Sequence, residues 1–368
     1  MMKKGSATKL PPAWLINTIN HFRTFLIRLN RNMFPGNVVL YEQFQYFWLL
    51  PSLYVSAKLD IAALLENHPM TAGEIAERVG ADSANMARLM RALSSQGVFR
   101  QQRDGRYALN AIGSALLDQP GSLRNMLLHL LGPVNWNLMS NMEYAVMTGK
   151  DPFSEKYGKG LYEFLNDHPD EGTLFDKSMT SHSDLGLAPI LKAYDFPVTA
   201  EIADIGGGEG YLLANILQRN PGCRGILFDR AEALEKAQDM LAAYQVEDRV
   251  KVIPGDFFDS VPCPADIFLL KNIIHNWDDE KSAVILRNVR QGMKPDGKIL
   301  IIEMVVPMSN GPSMAKLLDI QMMLTMTGGR ERTADEYRVL LEKAGFSMTR
   351  IIPTIAPICL VEAKMKES

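Results

Sequence analysis

The chain has 368 residues, 47% of them hydrophobic, which is enough for a large core and for two domains, because single cores stop growing near roughly 250 to 300 residues. Its 39 basic and 42 acidic side chains leave a formal charge of −3, so no global field draws it to nucleic acid, a membrane surface or a polyanionic partner. Cys223, Cys263 and Cys359 form no C-x-x-C pair and no even set, which argues for a reducing, cytoplasmic setting and against disulfides or structural zinc.

In chain order, the stretch from Met1 to Asn32 carries Lys3, Lys4 and Lys9, then apolar residues interrupted by Asn17, His21, Arg23 and Arg28. It is too broken for a membrane span, which needs about 20 mostly apolar residues. It also lacks the uninterrupted apolar core and cleavage site of a signal peptide. Two readings stand, a basic amphipathic anchor and a helix that packs on the domain or on a partner chain; the second is preferred.

Val55 to Leu117 reads as helices followed by a hairpin. Thr71 and Glu74 have the spacing of a capping box, and Met86, Leu89, Met90 and Leu93 fall on one helical face with Arg88 and Arg91 outward. Asp104-Gly105 turns a hairpin between residues 97–99 and 107–109, completing a winged helix. Its arginines admit a DNA-binding reading, that of a ligand-sensing regulator. Interspersed Glu74, Glu77, Asp82 and Asp104 and the negative overall charge favour a dimerisation module instead, with no nucleic acid partner. A helical stretch, Leu123 to Thr148, carries Trp136, Met139 and Met142.

From Ala200 the pattern becomes short β-branched runs separated by helices: 202–205, 225–229, 250–254, 266–271 and 298–305, with a closing antiparallel pair at 347–352 and 357–363. The fold class is α/β, a Rossmann-like parallel sheet with an antiparallel edge, preceded by a mainly α winged-helix domain. The expected divisions are 1–120, connecting helices 121–185, and 186–368.

The sharpest local signal is Glu201-Ile-Ala-Asp204-Ile-Gly206-Gly207-Gly208-Glu209-Gly210, a strand running into a glycine turn and the helix from Tyr211. Glycines there let backbone approach a ligand at a helix N-terminus. Tyr211 stands where a dinucleotide fingerprint needs glycine, so NAD is disfavoured. Asp229, at the end of the next strand, is placed for ribose hydroxyls. Asp256 with Phe257, ending the third, is placed for an adenine amino group and ring.

With these residues, Phe175-Asp-Lys-Ser-Met179-Thr-Ser-His-Ser183, Leu270-Lys271-Asn-Ile-Ile-His275-Asn276-Trp277, Ile302-Glu303 and Gly328-Gly329-Arg-Glu331-Arg-Thr333, nearly the whole chain resembles the plant and bacterial small-molecule O-methyltransferases typified by caffeate, isoflavone and hydroxyneurosporene enzymes. The resemblance implies S-adenosyl-L-methionine as cofactor, S-adenosyl-L-homocysteine as product and a homodimer formed through the N-terminal domain. It implies cofactor contacts at Gly206, Asp229, Asp256, Phe257, Lys271 and Ser183, alongside Asp204, Gly207 and Gly208 of the turn. His275 matches the catalytic base, with Glu303 and Glu331 matching the acids that orient it; Asn276 stands where many plant members have aspartate.

Methyl transfer from a sulfonium needs the acceptor's proton removed and two centres held in line, and imidazole suits a phenol near neutral pH. Without the resemblance, His275 reads equally as a helix-start residue, Glu303 as a strand-end cap, and Glu331 as a surface partner of Arg330 or Arg332. Asp278, Asp279 and Glu280 suit the first turn of a helix better than magnesium, which wants ligands from separate loops, so no metal is expected. Trp136, Phe175, Met179, Met322 and Met326 are the candidate acceptor wall; they point to an aromatic or polyketide-like secondary metabolite with a phenolic or enolic hydroxyl. C-methylation and non-methylating chemistry on the same cofactor site are the remaining enzymatic readings.

Overall fold

A computed structural model describes residues 13–366; Lys3, Lys4 and Lys9 of the basic stretch lie outside them. The chain forms two compact units. One comprises 40–188 with 320–330, the other the described residues up to 39 with 189–319 and 331–366. The helices expected as a connecting segment at 121–185 therefore fold with the winged helix. They are joined by a piece from far along the chain, because Leu324 packs into their apolar cluster with Leu138, Phe153, Phe164 and Leu165.

In the first unit, Thr71 and Glu74 form the capping box in both directions, at 3.2 and 2.6 Å. Asp82 caps the helix Ser83–Ser95, whose Met86, Met90 and Leu93 are buried with Ile61, Ile75 and Phe99. The hairpin turns at Gly105, φ +83°, where a left-handed residue is required. Its strands are β1 (Arg100–Gln101) and β2 (Tyr107–Ala108), not 97–99, because Val98 and Phe99 sink into the helical core and pairing starts only beyond them. Arg106, one candidate phosphate contact, donates to Glu74 at 2.8 Å and to the Pro69 carbonyl. The helical stretch over 123–148 holds three helices, Arg124–Leu130, Pro133–Met139 and Met142–Thr148. Gly132-Pro133 breaks it because proline has no N–H to continue the ladder.

The second unit is built on β3 (Glu201–Ile205), β4 (Arg224–Asp229), β5 (Val250–Pro254), β6 (Ala265–Lys271), β7 (Met293–Val306), β8 (Arg332–Thr333), β9 (Phe346–Pro353) and β10 (Ile358–Met365). Their order is β5-β4-β3-β6-β7-β10-β9, with β8 parallel to β7. The first five strands are parallel, and β10 runs antiparallel to both β7 and β9. Near-continuous burial along β3, β4 and β6 fits strands covered on both faces. The chain winds outward from β3 through β4 to β5, then returns to β6 on the other side of β3. The crevice beyond the carboxyl ends of β3 and β6 is thus the topological switch point, where ligands of such sheets bind. The Gly206 turn and Lys271 end those two strands.

Arg249 fixes the return from the helix Tyr211–Arg219 into β4 by donating to the carbonyls of Leu217, Asn220, Pro221 and Cys223 at 2.9 to 3.3 Å. Arg249→Ala is expected to lower stability by about 2–3 kcal/mol, read as a lower thermal unfolding midpoint. Arg249→Lys should recover only part of it, since one ammonium cannot fork to four acceptors.

Candidate active site

The glycine turn is shaped by close approach. Gly206 has φ +70°, and a Cβ there would lie 2.3 Å from Ile273 Cδ1, with the Phe257 ring at 3.8 Å. A Cβ on Gly207 would come within 2.8 Å of Asp204 Cγ and Oδ2. The turn therefore presents bare backbone at the start of the helix Tyr211–Arg219, with Ile273 and Phe257 beside it. Asp229 faces it: Oδ2 accepts from the Gly208 N–H at 2.8 Å and Oδ1 from the Arg230 N–H at 2.7 Å. Each oxygen keeps a lone pair, as a ribose diol requires. Burial raises the Asp229 carboxyl, and the two backbone N–H groups oppose the rise.

Asp204 lies under the turn, 2% exposed, and its Oδ2 has no hydrogen-bond partner in the protein. Burial lifts its carboxyl to about 7 and lowers the Lys271 ammonium to about 8, each opposing the other's shift by charge. An orphaned buried carboxylate oxygen beneath a bare glycine cradle suits a ligand with a cationic group. Asp256 is exposed, and its Oδ1 accepts from the Phe258 N–H at 2.8 Å, which is the job of a turn former. Its neighbour Phe257 carries the packing at the cradle.

His275 is 8% exposed in the short turn after β6, and Nδ1 meets Glu331 Oε1 at 2.7 Å. With Nδ1 donating to that carboxylate, the lone pair falls on Nε2. Glu303, on β7, acts on the same residue differently: its Oε1 accepts from the His275 backbone N–H at 3.0 Å, and its Oε2 accepts the hydroxyl of fully buried Tyr337. One acid orients the ring and the other pins the backbone. Burial lowers the imidazole's proton affinity, but the Glu331 hydrogen bond and the charges of Glu303 and Glu331 outweigh it, leaving His275 above its usual value. Burial raises Glu331 too, opposed by the hydrogen bond and charge of His275.

Glu331 is no surface partner of Arg332. Arg332 is fully buried and donates to Asp279, Ser282 and the carbonyls of Ile274 and Trp277, clamping the loop that carries His275. The Glu331 N–H donates to Asp319 at 2.8 Å. Asp278 caps the helix Asp279–Gly292 through the Lys281 N–H. Arg332, Tyr337, Asp319 and Ile273 were not legible as site residues. An arginine or tyrosine in a helical or strand pattern carries no sign of being buried against an acid until the strands are ordered.

The remaining candidates lie in the other unit. Ser183 is half-buried on the helix Pro169–Ala193. Phe175 and Met326 pack on the Leu138–Phe153–Phe164 cluster, and Phe175 meets His129 edge-on at 5.3 Å. Trp136 sits against Phe47 at 6.2 Å, Met322 is buried and Met179 half-buried. Gly206→Ala, forced into a left-handed conformation and against Ile273, is expected to weaken S-adenosylmethionine binding about tenfold or more in calorimetric titration.

Models of two domain families match the chain, an O-methyltransferase dimerisation domain over residues 41–119 and an O-methyltransferase domain over residues 139–347. Phenazine O-methyltransferase PhzM of Lysobacter antibioticus is 34% identical over 90% of this chain and 96% of its own length. Phenazine-1-carboxylate N-methyltransferase of Pseudomonas aeruginosa is 33% identical over 83% and 90%. The structure of CalO1, a methyltransferase of calicheamicin biosynthesis with S-adenosylhomocysteine bound, superposes with TM-score 0.81 at 33% identity, over 89% of this chain and 97% of that one. The chain belongs to the S-adenosylmethionine-dependent O-methyltransferase family.

Proposed function

We propose that the protein methylates a phenolic or enolic hydroxyl of a small aromatic or polyketide-like secondary metabolite, with His275 as general base. The carrying observation is the buried His275–Glu331 pair at 2.7 Å. The cofactor supplies an electrophilic methyl group on a sulfonium. Backbone of Gly206, Gly207 and Gly208, the carboxylates of Asp204 and Asp229, the ring of Phe257 and the ammonium of Lys271 hold it in this reading, with Asp256 and Ser183 as further contacts.

Nε2 of His275 takes the acceptor's hydroxyl proton as the oxygen becomes a nucleophile. Glu331 stabilises the resulting imidazolium, while Glu303 and the Arg332 clamp keep the ring's backbone from shifting. Trp136, Phe175, Met179, Met322 and Met326 supply apolar contact to the acceptor, and methionine adapts to irregular shapes. The protein works as a homodimer through residues 41–119, supported by the matched dimerisation domain. Free Cys223, Cys263 and Cys359 support a reducing, cytoplasmic setting. A nitrogen acceptor is the second reading, favoured by the Pseudomonas relative, whose name is that of an N-methyltransferase.

Transfer of label from methyl-labelled S-adenosylmethionine to a panel of phenols, hydroxyquinones, aromatic amines and host metabolite extract tests this. An ether product with wild type, reduced about 100-fold or more by His275→Ala, is the expected result. Equal labelling by the variant removes His275 as base, and a labelled amine favours the second reading. Because His275 works only when neutral, activity falls as pH drops through its raised pKa. Glu331→Gln removes a charge that holds that pKa up, so the acidic limb of the kcat profile should move to lower pH while the plateau falls about tenfold or more.

A further inference from the structure

The helix Ala13–Asn32 has no part in this chemistry. At about 1.5 Å per residue its 20 residues extend about 30 Å. Leu15, Ile19, Phe22, Leu26 and Leu29 recur at steps of four and three, which sets them in one apolar stripe with Phe25 on its flank. Among the described residues, most of the stripe stays open: Leu15 is half-buried, but Ile19 is 46% exposed, Phe22 59%, Leu26 44% and Leu29 47%, with Phe25 at 57%. Of the expectation that this helix packs on the domain or on a partner chain, packing on the domain does not hold for these exposed side chains.

Its charge is as one-sided as its apolar face. Residues 1–41 hold Lys3, Lys4, Lys9, Arg23, Arg28 and Arg31, six of the 39 basic side chains, and none of the 42 acidic ones; the first acid is Glu42. The segment also stands outside the matched dimerisation domain, which begins at residue 41. Among the described residues no helix is long and apolar enough to cross a membrane, and Arg23 and Arg28 interrupt this one.

We propose that the helix Ala13–Asn32 is an interfacial anchor that lies in the surface of an anionic lipid bilayer, its stripe among the acyl chains and its arginines on headgroup phosphates. An anionic bilayer offers both an apolar layer for the stripe and phosphate for the basic side chains of a segment that carries no carboxylate.

The full chain is to be sedimented with vesicles of phosphatidylcholine alone and of phosphatidylcholine with equal phosphatidylglycerol, at low and high salt. Binding to the phosphatidylglycerol vesicles only, released by salt, is expected. The double variant Arg23→Gln with Arg28→Gln should bind about 30-fold more weakly. Phe22→Glu with Phe25→Glu should abolish binding while leaving the unfolding midpoint and the mass by light scattering unchanged, since both side chains are exposed in the folded chain. Absence of binding to either vesicle, or equal binding to both, overturns the proposal. So does a fall from dimer to monomer mass in the phenylalanine variant, which would assign the stripe to a second copy.

Discussion

His275, Glu303 and Glu331 occupy one buried space at the carboxyl end of the parallel strands, and three ionisable groups without water are costly unless each has a partner. Most of the local structure around them supplies partners. Tyr337 gives its hydroxyl to Glu303, and the backbone of His275 occupies that acid's other oxygen. Glu331 takes the imidazole and has its own N–H held by Asp319. Arg332 satisfies the carbonyls of the loop around His275 and pairs with Asp279 at the start of the following helix. Thr333 then opens the helix Ala334–Lys343 with a second capping box, which places Tyr337 one turn in. A short run, from Glu331 to Tyr337, thus orients the His275 ring and anchors its support.

The cofactor end obeys a different constraint, proximity of backbone. The strand order puts the Gly206 turn and the end of β6 side by side, so Ile273 and Phe257 close on a surface that only glycine leaves open. Asp229 braces the turn through Gly208 and keeps lone pairs for a ligand. The same carboxylate holds the loop's shape through the N–H groups of Gly208 and Arg230 and still has lone pairs to offer.

Relatives of about equal similarity carry names of O- and N-methyltransferases. A sulfonium methyl group is electrophilic toward either atom, so the choice rests on which atom of the acceptor is held toward it and on how the proton leaves. Fold alone does not make that choice.

The sequence by itself determined the parallel sheet with its antiparallel edge, the winged helix and the glycine turn, and it singled out His275, Glu303 and Glu331, which the fold brings together. Each is written locally, in alternation of β-branched runs, in cap spacing, in glycines before a helix, or in motifs whose order is specific. It placed Asp256 and Phe257 together at a strand end, where the Phe257 ring lies beside the cradle and the Asp256 carboxylate accepts from the Phe258 N–H. Only tertiary structure decided that Glu303 holds a backbone while Glu331 holds a ring, that Arg332 and Tyr337 are buried beside them, and that 320–330 joins the helices of 121–185. These depend on which strands become neighbours and which side chains lose water together, and neither is encoded within a window of a dozen residues. The exposed stripe of residues 19–29 needed both: periodicity drew the stripe, and the fold of the described residues showed its side chains exposed.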